Sequence, residues 1–432
     1  MTTFDTNAVH GGYDRAANAN AASVPIYATA AFDMESAVRG DRLAAGEEFG
    51  FSYSRVTNPT VDALERRLAT LEGGEAAVAT ASGMAAVSFA LLAAAEGGGR
   101  IIAPIDVYGA TVDALATFFP QFGVHADFVD DINDLDEVEA AIRPETKVIF
   151  AESVANPSTR VTDLRPLADL AHRHGLPLII DNTVPTPYLL RPIEFGADVV
   201  VHSTTKGICG HGNALGGMVI DAGRFDWSAG RHPQFTMIEQ VISDERRGVP
   251  QSFASLFGNL AFIRRVRTKY VRTFGAVLSP FNAYQQLVGL ETLPVRMEHE
   301  VASALKIARW LEGNPHVAEV RYSGLPGSPC HALAERYCPK GVGTILSFRL
   351  DGTEEHLRRL LDSTTVFTYL PNIGDARSLI VDPGRITHRE VPGEFRRRAG
   401  ITDQDVRLSI GLEDPDDLIA DLGRAFAAAY GD

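Results

Sequence analysis

Cysteine, lysine and long apolar runs are all scarce in this chain of 432 residues. The three cysteines, Cys209, Cys330 and Cys338, are odd in number and lack metal-ligand spacing. That excludes a disulfide scaffold, offers no metal site and reads as a reducing, cytoplasmic compartment. No window approaches the ~18 consecutive apolar residues of a membrane span. The opening MTTFDTNAVHGG has neither the basic flank nor the apolar core of a secretory signal. Positive charge is short too: a net charge of −15 repels phosphate backbones, so no nucleic-acid partner is expected. Local basic clusters, Arg264-Arg265-x-Arg267 and Arg396-Arg397-Arg398, read as helix faces that balance nearby acids. No basic helix-turn-helix precedes residue 60, which argues against a transcription factor. No GxGxxG follows the first strand, and Gly97-Gly-Gly99 precedes one instead, so the dinucleotide fingerprint is missing. His172-x-His174 has the look of a ligand pair. Residues i and i+2 do not share a helix face, however, so the pair reads as solvated helix surface.

What is present is a regular alternation. Residues 1–57 carry many turn formers and little periodicity, and read as an arm. A helix over 60–71 stops at Gly73-Gly74. Apolar runs at 76–80, 100–104, 124–129, 147–152, 177–180 and 198–202 then alternate with helical patterns at 83–95, 109–119, 135–142 and 163–174. This specifies an α/β domain over 58–285 with a mostly parallel central sheet and helices on both faces. A run at 216–220 reads as an antiparallel edge strand, and 221–280 as an insertion or lid with a helix at 259–276. From 286 to 432 the pattern becomes α+β, a smaller C-terminal domain. It has a helix over 298–311, strands near 317–322, 343–350 and 406–410, and a last helix opened by Asp414-Pro415.

The five lysines stand against thirty-five arginines, and Lys206 has the most informative surroundings. It ends the run Asp198-Val-Val-Val-His-Ser-Thr-Thr-Lys206, while Pro177-Leu-Ile-Ile-Asp181 ends in a lone carboxylate. An amine and an acid at neighbouring strand exits suit pyridoxal 5′-phosphate (PLP), which bonds a lysine and needs an acid beside its ring nitrogen. A structural Lys–Asp pair fits those two residues equally well. The other strand exits add to the set. Open parallel sheets bind ligands there, and these exits offer Gly83 and Met84 opening a helix, Tyr108, Asn156, Thr183, Ser203 and Thr205. Helix-opening N–H groups suit a phosphate, joined by the Ser203 and Thr205 hydroxyls. Tyr108 can stack on a ring and handle a proton, Asn156 can donate to a ring oxygen, and Asp181 favours a protonated ring nitrogen. Each residue alone has an ordinary structural use: packing for Tyr108, a turn for Asn156-Pro157, an N-cap for Ser82-Gly83.

Taken with their order and spacing, these motifs resemble those of the Cys/Met-metabolism family of PLP-dependent enzymes. That family includes cystathionine synthases and lyases, methionine γ-lyase and O-acetylhomoserine sulfhydrylase. The carrying segments are Tyr53-Ser-Arg55-x-x-Asn58-Pro-Thr60, Leu71-Glu-Gly-Gly74, Ala81-Ser-Gly-Met84, Asp181-Asn-Thr183, His202-Ser-Thr-Thr-Lys206, Gly210-His-Gly212 and Ser279-Pro-Phe-Asn282. The likeness runs from Ala8-Val-His-Gly-Gly12 to Leu408-Ser-Ile-Gly-Leu-Glu-Asp414. It implies a fold-type I, aminotransferase-like architecture and a homo-oligomer, a tetramer built as a dimer of dimers. It also implies that Tyr53 and Arg55 reach across a dimer to the neighbour's cofactor phosphate, as a guanidinium fork would. Arg407 is then the anchor for the substrate α-carboxylate, Ser378 the helper serine, and Arg377 a mark of the sulfhydrylase branch.

The chemistry so implied is γ-elimination or γ-replacement on a Cγ-substituted amino acid, through a vinylglycine-type intermediate. Lys206 would be the base and Tyr108 the acid for the leaving group. Two departures stand out. Relatives read His-Pro-Ala-x-x-Thr-His where this chain has Asp382-Pro-Gly-Arg385-Ile-Thr-His388. The segment Asp244–Pro250 also lacks the Tyr-His-Gly of that branch. These changes read either as neutral drift or as the alternative function, a specialised biosynthetic γ-lyase with a non-sulfur leaving group such as halide. A non-catalytic member would be expected to lose Lys206, Tyr108 or Asp181, and all three are present.

Overall fold

The computed structural model describes residues 2–45, 47–244 and 248–431. Seven strands form the larger sheet: β1 (Ala76–Thr80), β2 (Arg100–Pro104), β3 (His125–Val129), β4 (Thr146–Glu152), β5 (Leu178–Asp181), β6 (Val199–His202) and β7 (Gly217–Asp221). Their spatial order is β1-β7-β6-β5-β4-β2-β3. All neighbouring pairs are parallel except the two made by β7, which runs antiparallel to both β1 and β6. The run at 216–220 is therefore an antiparallel strand but not an edge. It bonds on both sides, and β1 takes the edge.

These strands read as unbroken apolar runs because helices cover both faces. Val199, Val200 and Val201 have no exposed surface. The helix Gly83–Ala95 is apolar on every side and correspondingly buried, as a helix sandwiched in a core must be. Its opening is fixed by Ser82, whose Oγ accepts the Ala85 N–H at 3.2 Å. The helical pattern at 109–119 is broken. A regular helix covers Gly109–Asp113, then the turn widens over Ala114–Phe118 and tightens at Pro120.

The second sheet has the order β10-β11-β12-β9-β8, from β8 (Val317–Arg321), β9 (Ile345–Leu350), β10 (Thr368–Tyr369), β11 (Leu379–Val381) and β12 (Asp405–Ser409). The long helix preceding it starts earlier than its pattern, at Leu293, and ends at Glu312. In the arm, helix Phe4–His10 is held by buried Arg67, which donates to the carbonyls of Gly11 at 2.9 Å and Ala8 at 3.2 Å. No helix among the described residues is long and apolar enough to cross a membrane.

His172 and His174 lie at the surface as that reading expects, His172 exposed and His174 half-exposed. The helix ends at Arg173, so the two do not share one helical frame. Each takes its own carboxylate instead: His172 Nε2 lies 2.9 Å from Asp198 and His174 Nε2 lies 2.7 Å from Glu139. No group of three or more potential metal ligands occurs among the described residues.

Candidate active site

The carboxyl ends of β1, β2, β4, β5 and β6 open on one cavity of about 240 Å³. Gly83, Met84, Tyr108, Asn156, Asp181, Thr183, Ser203, Thr205, Lys206 and Arg407 all line it, although they lie as far apart as 324 positions in sequence. Small residues make the convergence possible. A Cβ on Gly83 would overlap Ser203, so only glycine lets the helix start approach the end of β6. A Cβ on Gly109 would overlap the Thr387 carbonyl, so the second sheet's 383–388 segment can lie on the Tyr108 loop.

Lys206 Nζ donates to Asn372 Oδ1 at 2.6 Å. Burial, reinforced by the Arg407 charge, pulls its pKa down to about 8. The Arg407 guanidinium donates to Asn156 Oδ1 and to the Asn372 carbonyl, each at 3.1 Å, and its Nε has no partner. Burial lowers its pKa to about 10. Asn372 thus holds the amine with its side chain and the guanidinium with its backbone.

Asp181 accepts the Thr183 N–H at 2.9 Å and the Thr183 hydroxyl at 2.5 Å, while Thr183 Oγ1 accepts the Ser203 N–H at 2.8 Å. Burial raises the Asp181 pKa despite those donors. Beside it, Glu152 is pushed up further, first by burial and then by Asp181 itself. Burial also raises the Tyr108 phenol, against the pull of Arg407. The buried Glu152 and half-buried Asp181 carboxylates, neither bonded to a basic side chain, an unpartnered guanidinium nitrogen and a glycine-opened helix end fit the ring cation, an anionic substrate group and the phosphate of PLP.

Ser378 and Arg377, expected at this site, do not line the cavity, and Tyr53 and Arg55, expected to serve a neighbouring copy, lie away from it. Ser378 is buried immediately before β11, where its Oγ donates to Glu413 at 2.7 Å and accepts the Gly411 N–H at 2.9 Å. Arg377 is largely exposed, pairs with Asp375 at 3.0 Å and donates to the His211 carbonyl at 2.7 Å. Tyr53 and Arg55 are exposed in the single chain. The Arg55 guanidinium lies 5.4 Å over the Tyr53 ring, and it donates to the Arg272 carbonyl at 2.8 Å. The residues missed by sequence reasoning are Asn372, Glu152 and Thr387. Glu152 ends an apolar strand just as Asp181 does, so the same rule finds it. Asn372 sits in an aperiodic loop.

The charge change at Asp382 and Arg385 is absorbed within the second domain. Asp382 accepts the Tyr369 hydroxyl at 2.7 Å and lies 3.8 Å from Arg385, which also pairs with Glu354 at 3.1 Å. In the other departure, Glu245–Arg247 lie outside the described residues.

A family model for Cys/Met metabolism PLP-dependent enzymes matches residues 5–427. The chain is 40% identical to an O-acetyl-L-homoserine sulfhydrylase of Leptospira meyeri over 426 residues, 98% of this chain and 96% of that protein. It is likewise 40% identical to a sulfhydrylase of Gibberella moniliformis over 431 residues, 99% of this chain and 98% of that one. A Campylobacter jejuni crystal structure carrying N′-pyridoxyl-lysine-5′-monophosphate superposes with a TM-score of 0.93 at 37% identity, covering 98% of this chain and 100% of the other. A cystathionine γ-lyase of Lactobacillus plantarum, complexed with L-serine, gives 0.84 at 32% identity over 99% of both chains. The chain belongs to the Cys/Met metabolism PLP-dependent enzymes, and its chemistry is PLP-dependent γ-replacement or γ-elimination on an amino acid.

Proposed function

We propose that this enzyme replaces the Cγ substituent of an O-acylated homoserine with a sulfur nucleophile, using Lys206 as base and Arg407 as carboxylate anchor. The observation that carries it is the Asn372 bridge: one residue holds the Lys206 amine at 2.6 Å and the Arg407 guanidinium at 3.1 Å. A substrate carboxylate on Arg407 thereby sets its Cα hydrogen beside the amine. The sulfhydrylases at 40% identity support replacement and an acyl leaving group.

Bound in this cavity, PLP supplies an electron sink for the charge left at Cα. Lys206 Nζ takes the Cα proton and carries protons between adjacent carbons, which a pKa near 8 permits close to neutrality. Tyr108, its phenol kept protonated by burial, gives a proton to the departing group. With the cofactor bound, Asp181, braced by Thr183, would hold the ring nitrogen's charge, Asn156 would serve the ring oxygen, and the N–H groups of Gly83 and Met84 with the Ser203 and Thr205 hydroxyls would hold the phosphate. Product analysis tests the reaction with O-acetylhomoserine, methionine, cystathionine and a γ-halo amino acid, each with and without sulfide. Homocysteine from O-acetylhomoserine plus sulfide is expected. A 2-oxo acid and ammonia as the main products under those conditions would overturn replacement in favour of elimination.

The lowered Lys206 pKa gives a pH prediction. Only the neutral amine bonds the cofactor, so covalent uptake of PLP by the apo protein accelerates with pH and levels off above about 8. A rate that is flat across that range is incompatible with Lys206 as the acceptor.

Exposure of Tyr53 and Arg55 away from their own cavity supports a dimer in which they serve the neighbouring copy's site, within a tetramer. Three free thiols support a reducing cytoplasm. Mixing inactive Lys206→Ala with inactive Arg55→Ala restores activity in mixed dimers, because one of their two sites receives both residues intact. Random mixing makes half the dimers mixed, which caps recovery at roughly a quarter of wild type for a closed two-fold assembly. Demonstrated subunit exchange with no recovery rules out the crossing arm.

A further inference from the structure

One buried group in the cavity is left unused by this chemistry. Glu152 ends β4 directly across from Asp181, its register partner at the end of β5. It is 7% exposed, and its two oxygens are engaged by backbone rather than by a basic side chain. Oε1 accepts the Tyr108 N–H at 2.7 Å and Oε2 accepts the Asn156 N–H at 2.9 Å. These donors sit on different loops, one following β2 and the other following β4. Asn156 in turn accepts from Arg407 at 3.1 Å.

Each loop has internal bonds of its own. Tyr108 accepts the Thr111 N–H at 2.8 Å, and around Asn156 the Ala155 N–H reaches the Arg160 carbonyl at 2.9 Å while Thr159 N–H reaches Ala155 at 2.8 Å. What Glu152 adds is the relation between the loops. We propose that Glu152 is a positioning residue whose two oxygens set the Tyr108 ring and the Asn156 amide at a fixed separation across the cofactor, and through Asn156 aim Arg407. The inference rests on the reading of this cavity as the PLP site. A carboxylate is required because it offers two acceptors in one plane. An amide offers one and turns an NH₂ against the second N–H.

Glu152→Gln tests this. The apo variant is expected to melt close to wild type, since losing one of two adjacent carboxylates offsets the lost bond. Its PLP Kd should rise about 10-fold, the order expected for one charge-assisted hydrogen bond. The visible circular dichroism per bound PLP should fall while absorbance at saturation is kept, because the ring is held but no longer oriented. KM should rise by a larger factor than kcat falls. Should Glu152→Gln fail to fold, Glu152→Asp keeps the charge and withdraws both oxygens by one methylene, and the same changes are expected of it. A folded variant with wild-type PLP affinity and wild-type dichroism overturns the inference, even with a lowered melting temperature, since Glu152 would then serve the fold alone. A wild-type protein that takes up no PLP, or bonds it through another lysine, instead sinks the reading of the cavity and the role of Glu152 with it.

Discussion

Lys206→Ala is expected to lower turnover by at least about 10³-fold, because base and covalent anchor are lost together, yet to leave the apo chain about as stable as wild type. The second half follows from the pKa. Folding moves the amine to about 8, so near neutrality the folded chain carries a proton in a buried site at a cost of roughly 3 kcal/mol. Alanine removes that cost. It also leaves Asn372 Oδ1 without its donor and opens a cavity, which together offset a similar amount. A group whose folded pKa is depressed loses stability as pH falls, so the wild-type apo protein gains on the variant as pH rises from about 8 toward the ordinary lysine value. Thermal melts of both apo proteins across that range check the sign. Borohydride reduction of the holoenzyme followed by peptide mapping checks the residue, and label on any other lysine overturns the assignment.

The large sheet was legible because buried parallel strands are apolar throughout. A run such as Val199–Val201 carries its own boundaries, and the residue ending each run is placed at the sheet's carboxyl edge with no further information. That is why Asp181, Lys206 and the Ser82-Gly83 helix opening could be read directly. The position of β7 could not be read, since its run looks the same whether it bonds on one side or on two. The break in the helix after Gly109 was hidden for a related reason. A widened turn at Ala114–Phe118 keeps the apolar spacing roughly helical while shifting its phase.

The second domain contributes to the site through loops, where no period exists to read. Asn372 lies between the two-residue strand β10 and β11, and it reaches Lys206 by chain path alone. Ser378, six residues further on, looked the better hydroxyl by likeness of motif. It stands where β11 begins to pair with β12, and its bonds to Glu413 and Gly411 fasten that pairing instead. Asp382 is a departure whose use the sequence leaves open, and it is satisfied by Tyr369 and Arg385 inside its own domain. Arg55 could be placed only by resemblance, because its proposed target lies on another copy.

Asp181→Asn is the sharper test of the cofactor site, since it removes a charge and keeps a shape. The asparagine oxygen can still accept from the Thr183 N–H and hydroxyl, so the turn joining Thr183 to Ser203 survives. The lost anion no longer favours a protonated ring nitrogen, and an uncompensated buried charge costs roughly 3–5 kcal/mol. Turnover should therefore fall by about 10²–10³-fold, with PLP still bound by its phosphate and by Lys206. Apo stability should move the other way. Burial raises the pKa of both Asp181 and Glu152, and Asp181 pushes Glu152 up further. A carboxyl whose folded pKa is raised lends stability that is full below its unfolded value of about 4 and is lost as pH rises through the folded one. The stability contributed by this pair thus falls on going from acid toward neutral pH, and the variant, with one carboxyl fewer, loses less of it than wild type. Holo activity and apo melting are then displaced in opposite directions by one substitution. A structural ion pair at this site would lose both together, and near-normal turnover in Asp181→Asn would remove Asp181 from the chemistry altogether.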